Sequence, residues 1–264
     1  MGKETQRWRA RKIELARLDS MSTKRDMCLV IHYSCESFYD IKDGRTPRVT
    51  SIAVRQFSSG QTSSFSIHKS AELKKVEHAK ISQNYDELEK EMLSEFFDFL
   101  KTKPDYTFVH WNMRDINYGF QAIEHRFKAL GGKPAVVSND KKLDLARVLV
   151  TLYGVKYAPH GKSGRLHSLM EKNHITAKDV LNGAEEAGAF EEQEYVKLHQ
   201  STLRKVDVIA NILDRTLDGT LKTNASWAEK NGIHPSVLLE TITQHWVYSL
   251  LSVIALIVGF IVLF

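Results

Sequence analysis

Residues 29–40 read LVIHYSCESFYD, and this stretch decides the predicted fold. Its first half is short and rich in Val, Ile and Tyr, which is typical of a buried strand. Polar side chains follow at His32, Ser34 and Glu36, and residues two apart share one face of a strand. The stretch therefore predicts a buried strand whose last part carries polar groups on one side.

The segments after this strand predict a mixed sheet with helices on its faces. Two further strands, separated by turn residues, complete an antiparallel meander with the first. Strands and helices then alternate, an order typical of the α/β class. The strands after the first are predicted over 48–57, 62–68, 106–112 and 134–138, and the helices over 84–103, 114–132, 142–154, 166–175 and 191–217.

The chain ends in an apolar segment, WVYSLLSVIALIVGFIVLF, over residues 246–264. A helix of that length rises about 28 Å, enough to cross a bilayer core. Trp246 and Tyr248 stand at its start, where aromatic rings favour the lipid headgroups. Because residues 1–25 contain no apolar run typical of a signal peptide, we expect a tail anchor with the N-terminal domain in the cytoplasm. A buried core helix is the alternative.

Composition and charge divide the chain into segments. It has 264 residues, 42% hydrophobic and 26% charged, which suffices for a globular core. The net charge of +5 arises in residues 1–25, which are predicted to form a basic helix. This helix could bind anionic lipid or nucleic acid phosphates, or it could be a solvated helix without a partner. The predicted organisation is a basic helix over 1–25, a folded domain over 26–218, a linker over 219–245 and the anchor over 246–264.

Two later motifs carry polar residues in defined places. The run VHWNMRDINYGF places Asn112 just after the fourth strand and Asp115 at the start of a helix. The run TLRKVDVIANIL places Asp207 within an apolar helix, where an unpaired carboxylate is costly. With the order of strands and helices, these motifs resemble the ribonuclease H-like superfamily, and within it the DnaQ-like 3'-5' exonuclease family, over residues 27–216.

The resemblance implies metal-assisted phosphodiester hydrolysis, in which two Mg or Mn ions about 3.5–4 Å apart stabilise the attacking and leaving oxygens. The family's first metal ligands fall at His32 and Ser34, so Glu36 is the nearest carboxylate of that strand. The implied metal ligands are Glu36, Asp115, Asp207 and His32, with Asp144 in reserve. The implied catalytic residues are Glu36, Asp115, Asp207 and, as a substitute for the family's His or Tyr, His199.

Each of these residues also has a purely structural interpretation. Asp115 suits a helix start, where the dipole favours a carboxylate. His32 suits a satisfied core histidine. An ion pair with a neighbouring Lys or Arg would account for Asp207 as well as a metal would.

Four residues are candidates for nucleic-acid contacts. Trp111 could stack on a base and Asn112 belongs to the second motif, although a Trp at a strand end is more often a core residue. Lys162 and Arg165 lie in a glycine-containing loop before a helix, a place that suits a phosphate or is simply flexible.

Two classes of function follow from these observations. The first is a membrane-tethered exonuclease-like protein that binds or hydrolyses DNA or RNA with Mg or Mn. The second is a catalytically inactive ribonuclease H-like scaffold that serves as a membrane-bound module for nucleic-acid binding or protein interaction. A membrane-surface adaptor, with the basic helix and the tail both on lipid, is a third possibility.

Overall fold

The structure is a computed structural model, and it describes residues 3–37, 46–176, 178–231, 249–255 and 258. The strands are β1 (Cys28–Cys35), β2 (Val49–Gln56), β3 (Thr62–Ser66), β4 (Thr107–His110) and β5 (Lys142–Asp144). The α-helices are α1 (Lys3–Thr23), α2 (Ile67–Leu73), α3 (Tyr85–Lys101), α4 (Phe120–Ala129), α5 (Leu145–Tyr153), α6 (Gly164–Lys172), α7 (Gly183–Glu191), α8 (Tyr195–Leu217) and α9 (Trp227–Asn231).

The five strands form one mixed sheet in the order β3-β2-β1-β4-β5. The meander pairs antiparallel, β1 with β2 and β2 with β3. On its other side β1 pairs parallel with β4, and β4 pairs parallel with β5. The prediction of an α/β chain with a mixed five-stranded sheet and flanking helices is therefore confirmed. The carboxyl ends of β1, β4 and β5 lie at one edge of this sheet.

Both faces of the sheet are covered, which explains the apolar start of β1. Val30 and Val109 pack into a core with residues of α5 and α8. Ile31 and Phe108 point the other way, into a core with residues of α3 and α4. A strand buried on both faces reads as a continuous apolar run, as β1 does up to Ile31.

The predicted strand over 134–138 is wrong, because the structure places the fifth strand at Lys142–Asp144. The apolar residues of 134–138 suggested a strand, but Val136 is 70% exposed. The segment that pairs with β4 is charged at both ends and has only Leu143 fully buried. A three-residue edge strand gives too short a pattern to be recognised by apolar alternation.

The predicted helix over 114–132 begins only at Phe120. Before it, the side chain of Asp115 accepts the Asn117 N–H at 2.8 Å, an Asx turn that competes with helix. A bridge between Arg114 and Gly119 closes the same turn. The helix predicted over 191–217 likewise begins later, at Tyr195, after a separate helix that ends at Glu191.

The basic N-terminal helix packs against the domain. Leu18 and Met21 are buried in the core shared with α5 and α8. Arg11 donates to the carbonyl oxygens of Leu152 and Lys230, and Arg17 donates to that of Lys142 at 2.8 Å. Two of the basic side chains of α1 are therefore engaged in hydrogen bonds that hold this helix against its neighbours.

Most of the predicted anchor lies outside the described residues. Residues 249–255 and 258 are helical, and their described apolar side chains are exposed. Within the described residues, no helix is both long enough and apolar enough to cross a membrane. The predicted linker over 219–245 is described up to Asn231 and contains the short α9.

Candidate functional site at the carboxyl end of β1

The second half of β1 directs polar side chains at α8. Ser34 Oγ lies 2.6 Å from Thr202 Oγ1. Ser51, opposite Ser34 on β2, lies 2.7 Å from the same Thr202 oxygen. Because Thr202 donates its own hydroxyl proton to the carbonyl oxygen of Leu198 at 2.8 Å, it accepts from Ser51. Three buried hydroxyls thus meet between the strands and the helix.

One ion pair completes this polar region. Lys205, on the buried face of α8, places Nζ 2.7 Å from Glu186 Oε1, which α7 supplies. The Lys205 side chain is only 7% exposed and that of Glu186 15%. Ser34 and Ser201 donate to the same carboxylate oxygen at 3.0 and 3.3 Å. Glu186 is therefore held by three donors.

His32 and Tyr118 lie beside this pair. The Tyr118 hydroxyl lies 3.5 Å from His32 Nδ1 and donates to the carbonyl oxygen of Tyr33 at 3.1 Å. Burial, and then the charge of Lys205, hold the pKa of His32 well below its ordinary value. Burial raises the pKa of Tyr118 well above its ordinary value. Both side chains are therefore neutral at physiological pH.

We call these groups the β1 polar cluster: His32, Ser34, Tyr118, Glu186, Thr202 and Lys205. It contains one carboxylate and one ammonium, so its formal charge is balanced internally. Among the described residues, His32 Nε2 is the atom of this cluster that is buried without a hydrogen-bond partner.

Glu36 lies beyond this cluster and is bonded to Arg48, the residue before β2. Its Oε1 accepts the backbone N–H of Arg48 at 2.7 Å, and its own N–H donates to the carbonyl oxygen of Arg48 at 3.0 Å. The pairing of β1 with β2 shifts register between Ser34 and Cys35. The extra residue at this shift is Thr50 of β2, so the pairing changes there without an insertion in β1.

Asp115 and Asp144 both serve local structure. Asp115 is exposed and closes the turn before α4. Asp144 caps α5 by accepting the Ala146 N–H at 3.1 Å, and its other oxygen pairs with Arg114 at 2.6 Å. The structural interpretation of Asp115, as a residue of the turn that leads into a helix, agrees with these contacts.

Asp207 pairs with Arg55 of β2 at 3.0 Å. The ion-pair interpretation of this residue therefore describes its contacts. Arg55 is opposite Val30 in the sheet, six residues before Glu36 along the chain. At about 3.3 Å per residue, that separation is about 20 Å along the strand.

The structure therefore does not bring the predicted metal ligands together. Glu36 lies at one end of β1, Asp207 near the level of Val30, and Asp115 in an exposed turn after β4. Across the part of the chain that the structure describes, no three His, Cys, Asp or Glu side chains are grouped so that they could hold a metal ion.

His199, predicted as a base, packs against β3 and α2. Its ring centroid lies 5.1 Å from that of His68, and its Nε2 lies 3.5 Å from Ser64 Oγ. Burial lowers the pKa of His199 to about 4. These contacts are typical of a neutral packed histidine.

The four predicted nucleic-acid contacts are divided between the core and the surface. Trp111 is 7% exposed and belongs to the core with α5 and α8. Asn112 is exposed, with the positive φ of 56° that Asn tolerates. Lys162 is exposed, whereas Arg165 donates to the carbonyl oxygen of Val155 at 3.2 Å and lies over the Tyr157 ring.

Sequence reasoning missed the ion pair of the β1 polar cluster. Lys205 follows Thr202 by three residues and precedes Ile209 by four, a spacing that places all three on one stripe of a helix. That spacing could have predicted that Lys205 lies on the buried face of the helix. No sequence pattern distinguishes Glu186, since it stands among several glutamates in a segment without clear periodicity.

Comparison of the chain with protein-family models, with curated proteins and with solved structures gives no match.

Proposed function

We propose that this chain is a ribonuclease H-like scaffold that does not hydrolyse phosphodiester bonds and that acts as a binding module, tethered to a membrane through residues 246–264. The sheet order β3-β2-β1-β4-β5, with β1 antiparallel to β2 and parallel to β4, supports the ribonuclease H-like assignment. The proposal of a tether rests on the length and apolar composition of the C-terminal segment.

The main support for the proposed absence of hydrolysis is the ammonium of Lys205 in the β1 polar cluster. It lies 2.7 Å from the single carboxylate there, where the family's metal ligands would begin at His32 and Ser34. Two unit charges 4 Å apart interact by about 4 kcal/mol at an effective dielectric constant of 20, so a divalent ion there would have to displace Lys205 from the Glu186 carboxylate. The neutral side chains of His32 and Tyr118 add no negative charge to the site.

The positions of the remaining acids support the same proposal. A pair of ions about 3.5–4 Å apart needs several carboxylates in one place. Glu36 is bound to the backbone of Arg48, Asp115 to its own turn and Asp207 to Arg55. Movement of these three acids into one site would break each of those contacts.

A metal-dependent nuclease assay tests the proposal. The full-length chain, purified in a nonionic detergent, is incubated with labelled single-stranded DNA and RNA in Mn²⁺ or Mg²⁺. We expect no cleavage above that of a protein-free sample. We also expect no Mn²⁺-dependent rise in melting temperature, since a ligand that binds only the native state would produce one.

The variants Asp115→Asn and Asp207→Asn are the matched controls. Cleavage that depends on Mn²⁺ and disappears in either variant would establish the exonuclease interpretation instead. Binding of the labelled strands in EDTA, followed by fluorescence anisotropy, separates a nucleic-acid module from a module for protein interaction.

A further inference from the structure

A second polar site lies at the same edge of the sheet, where β4 and β5 end. A pocket of about 380 Å³ is lined there by His110, Arg114, Gln121, Asn139, Lys142 and Arg147, among others. We call it the β4–β5 pocket. In open α/β sheets, ligands bind in crevices outside the carboxyl ends of the strands.

The β4–β5 pocket has more positive than negative charge. Among the described residues that line it, Asp144 is the only carboxylate, and Arg114 already pairs with it at 2.6 Å. Within the described part of the chain, neither Lys142 nor Arg147 forms a salt bridge, and Arg147 is exposed. Burial lowers the pKa of Lys142, and the nearby Glu124 carboxylate opposes that shift. The Lys142 ammonium also donates to Asn139 Oδ1 at 3.4 Å. Arg147 is therefore left without a partner charge, and Lys142 without a salt bridge.

Neutral donors accompany these cations. His110 is 3% exposed, and its Nδ1 accepts the Met113 N–H at 3.1 Å, so the neutral ring carries its proton on Nε2. That Nε2 has no hydrogen-bond partner among the described residues. The side-chain amides of Gln121 and Asn139 also line the pocket.

We propose that the β4–β5 pocket binds a phosphate monoester of up to the size of a mononucleotide. A phosphate monoester carries a charge of about −1.5 to −2 at neutral pH, which Arg147 and Lys142, neither of them in a salt bridge, balance. The guanidinium of Arg147 has the planar fork that matches phosphate oxygens. The volume exceeds that of one phosphate and falls within the range of small-molecule sites. This binding does not depend on whether the β1 polar cluster is catalytic.

Calorimetric titration of the full-length chain in nonionic detergent tests the proposal. The probes are adenosine 5'-monophosphate, inorganic phosphate and adenosine, all in EDTA so that no metal-dependent reaction contributes. We expect saturable binding of the monophosphate and none of adenosine. Arg147→Gln and Lys142→Gln should each weaken that binding about tenfold, the effect of one charge-assisted hydrogen bond.

Lys128→Gln is the matched control, since Lys128 is exposed at the far end of α4 and does not line the pocket. It should leave the affinity unchanged, and all variants should melt as cooperatively as the wild type. An oligonucleotide that competes with the monophosphate only when it is 5'-phosphorylated would identify a strand end as the source of the phosphate. If the 5'-phosphorylated oligonucleotide does not compete, the source is a free nucleotide. The proposal fails if neither phosphate compound binds the folded chain, or if Arg147→Gln binds as tightly as the wild type.

Discussion

The β1 polar cluster and the β4–β5 pocket lie at the same edge of one sheet and differ in how their charges are balanced. In the cluster, the ammonium of Lys205 and the carboxylate of Glu186 neutralise each other at 2.7 Å. In the pocket, Arg114 pairs with the one carboxylate among the described lining residues, Arg147 forms no salt bridge, and Lys142 interacts with Glu124 without a salt bridge. A location at the carboxyl ends of parallel strands is therefore compatible with a closed structural network and with an open binding site.

The balance of charge also determines which site tolerates substitution. A buried pair loses much stability when one partner is removed, because the other charge stays in a low-dielectric environment. Arg147 is exposed and forms no salt bridge within the described residues, so its removal leaves no buried charge uncompensated. The loss of a positive charge should therefore cost much more stability in the cluster than in the pocket.

The largest effect is expected for Lys205→Met. This change leaves Glu186 without its counterion, while Ser34 and Ser201 continue to donate to it. We expect the free energy of unfolding to fall by about 3 to 4 kcal/mol, toward the lower end for a broken buried ion pair. Urea denaturation at pH 7 measures it.

The double variant Lys205→Met with Glu186→Gln distinguishes the lost ion pair from lost packing. With both charges removed, most of the stability should return, to within about 1 kcal/mol of the wild type. A double variant as unstable as Lys205→Met would show that the aliphatic stem of Lys205, and not its charge, stabilises α8.

The second largest effect is expected for the contribution of His110, in the β4–β5 pocket, to the pH dependence of the unfolding free energy. Burial lowers the pKa of His110 to about 4, whereas an unfolded histidine titrates near 6.5. Between these values the unfolded chain binds the proton and the native chain does not, so stability falls as the pH falls from about 6.5 to 4. Linkage gives a loss of up to about 3 kcal/mol at pH 4.

His110→Asn isolates this contribution, because Asn does not titrate and its side-chain oxygen can still accept the Met113 N–H. The difference in unfolding free energy between wild type and variant should shrink as the pH is lowered from 7 to 4, in buffers free of phosphate. A difference that stays constant over this range would mean that His110 is protonated equally in both states.

The packing of the sheet could be predicted from the sequence more fully than its polar sites. The apolar run of β1 and the stripe of α8 through Val206, Ile209 and Leu213 identify elements that must be buried, and they are. Hydrophobic periodicity reports burial, so it locates a core. It does not report which polar groups meet across different elements.

Glu186 and Asp207 illustrate that limit. Asp207 looked like a metal ligand because it interrupts an apolar helix, yet Arg55, far away in sequence, pairs with it. Glu186 had no distinguishing pattern, yet α7 brings it to Lys205. In both cases the partner is set by tertiary packing, which a single sequence does not specify. The extra residue Thr50 in β2 adds a one-residue shift in pairing that alternation also cannot anticipate.

The smallest effect is expected for Arg147→Gln in the β4–β5 pocket, and its smallness is the informative result. Arg147 is exposed and forms no salt bridge within the described residues, so its removal breaks no compensated charge. We expect the unfolding free energy to change by no more than about 0.5 kcal/mol, the usual range for surface substitutions. Urea denaturation of Arg147→Gln and Lys205→Met at the same low salt concentration measures the change in unfolding free energy of each variant under one condition. A loss comparable to that of Lys205→Met would show that Arg147 is a structural cation, and the contrast between a closed and an open site would no longer hold.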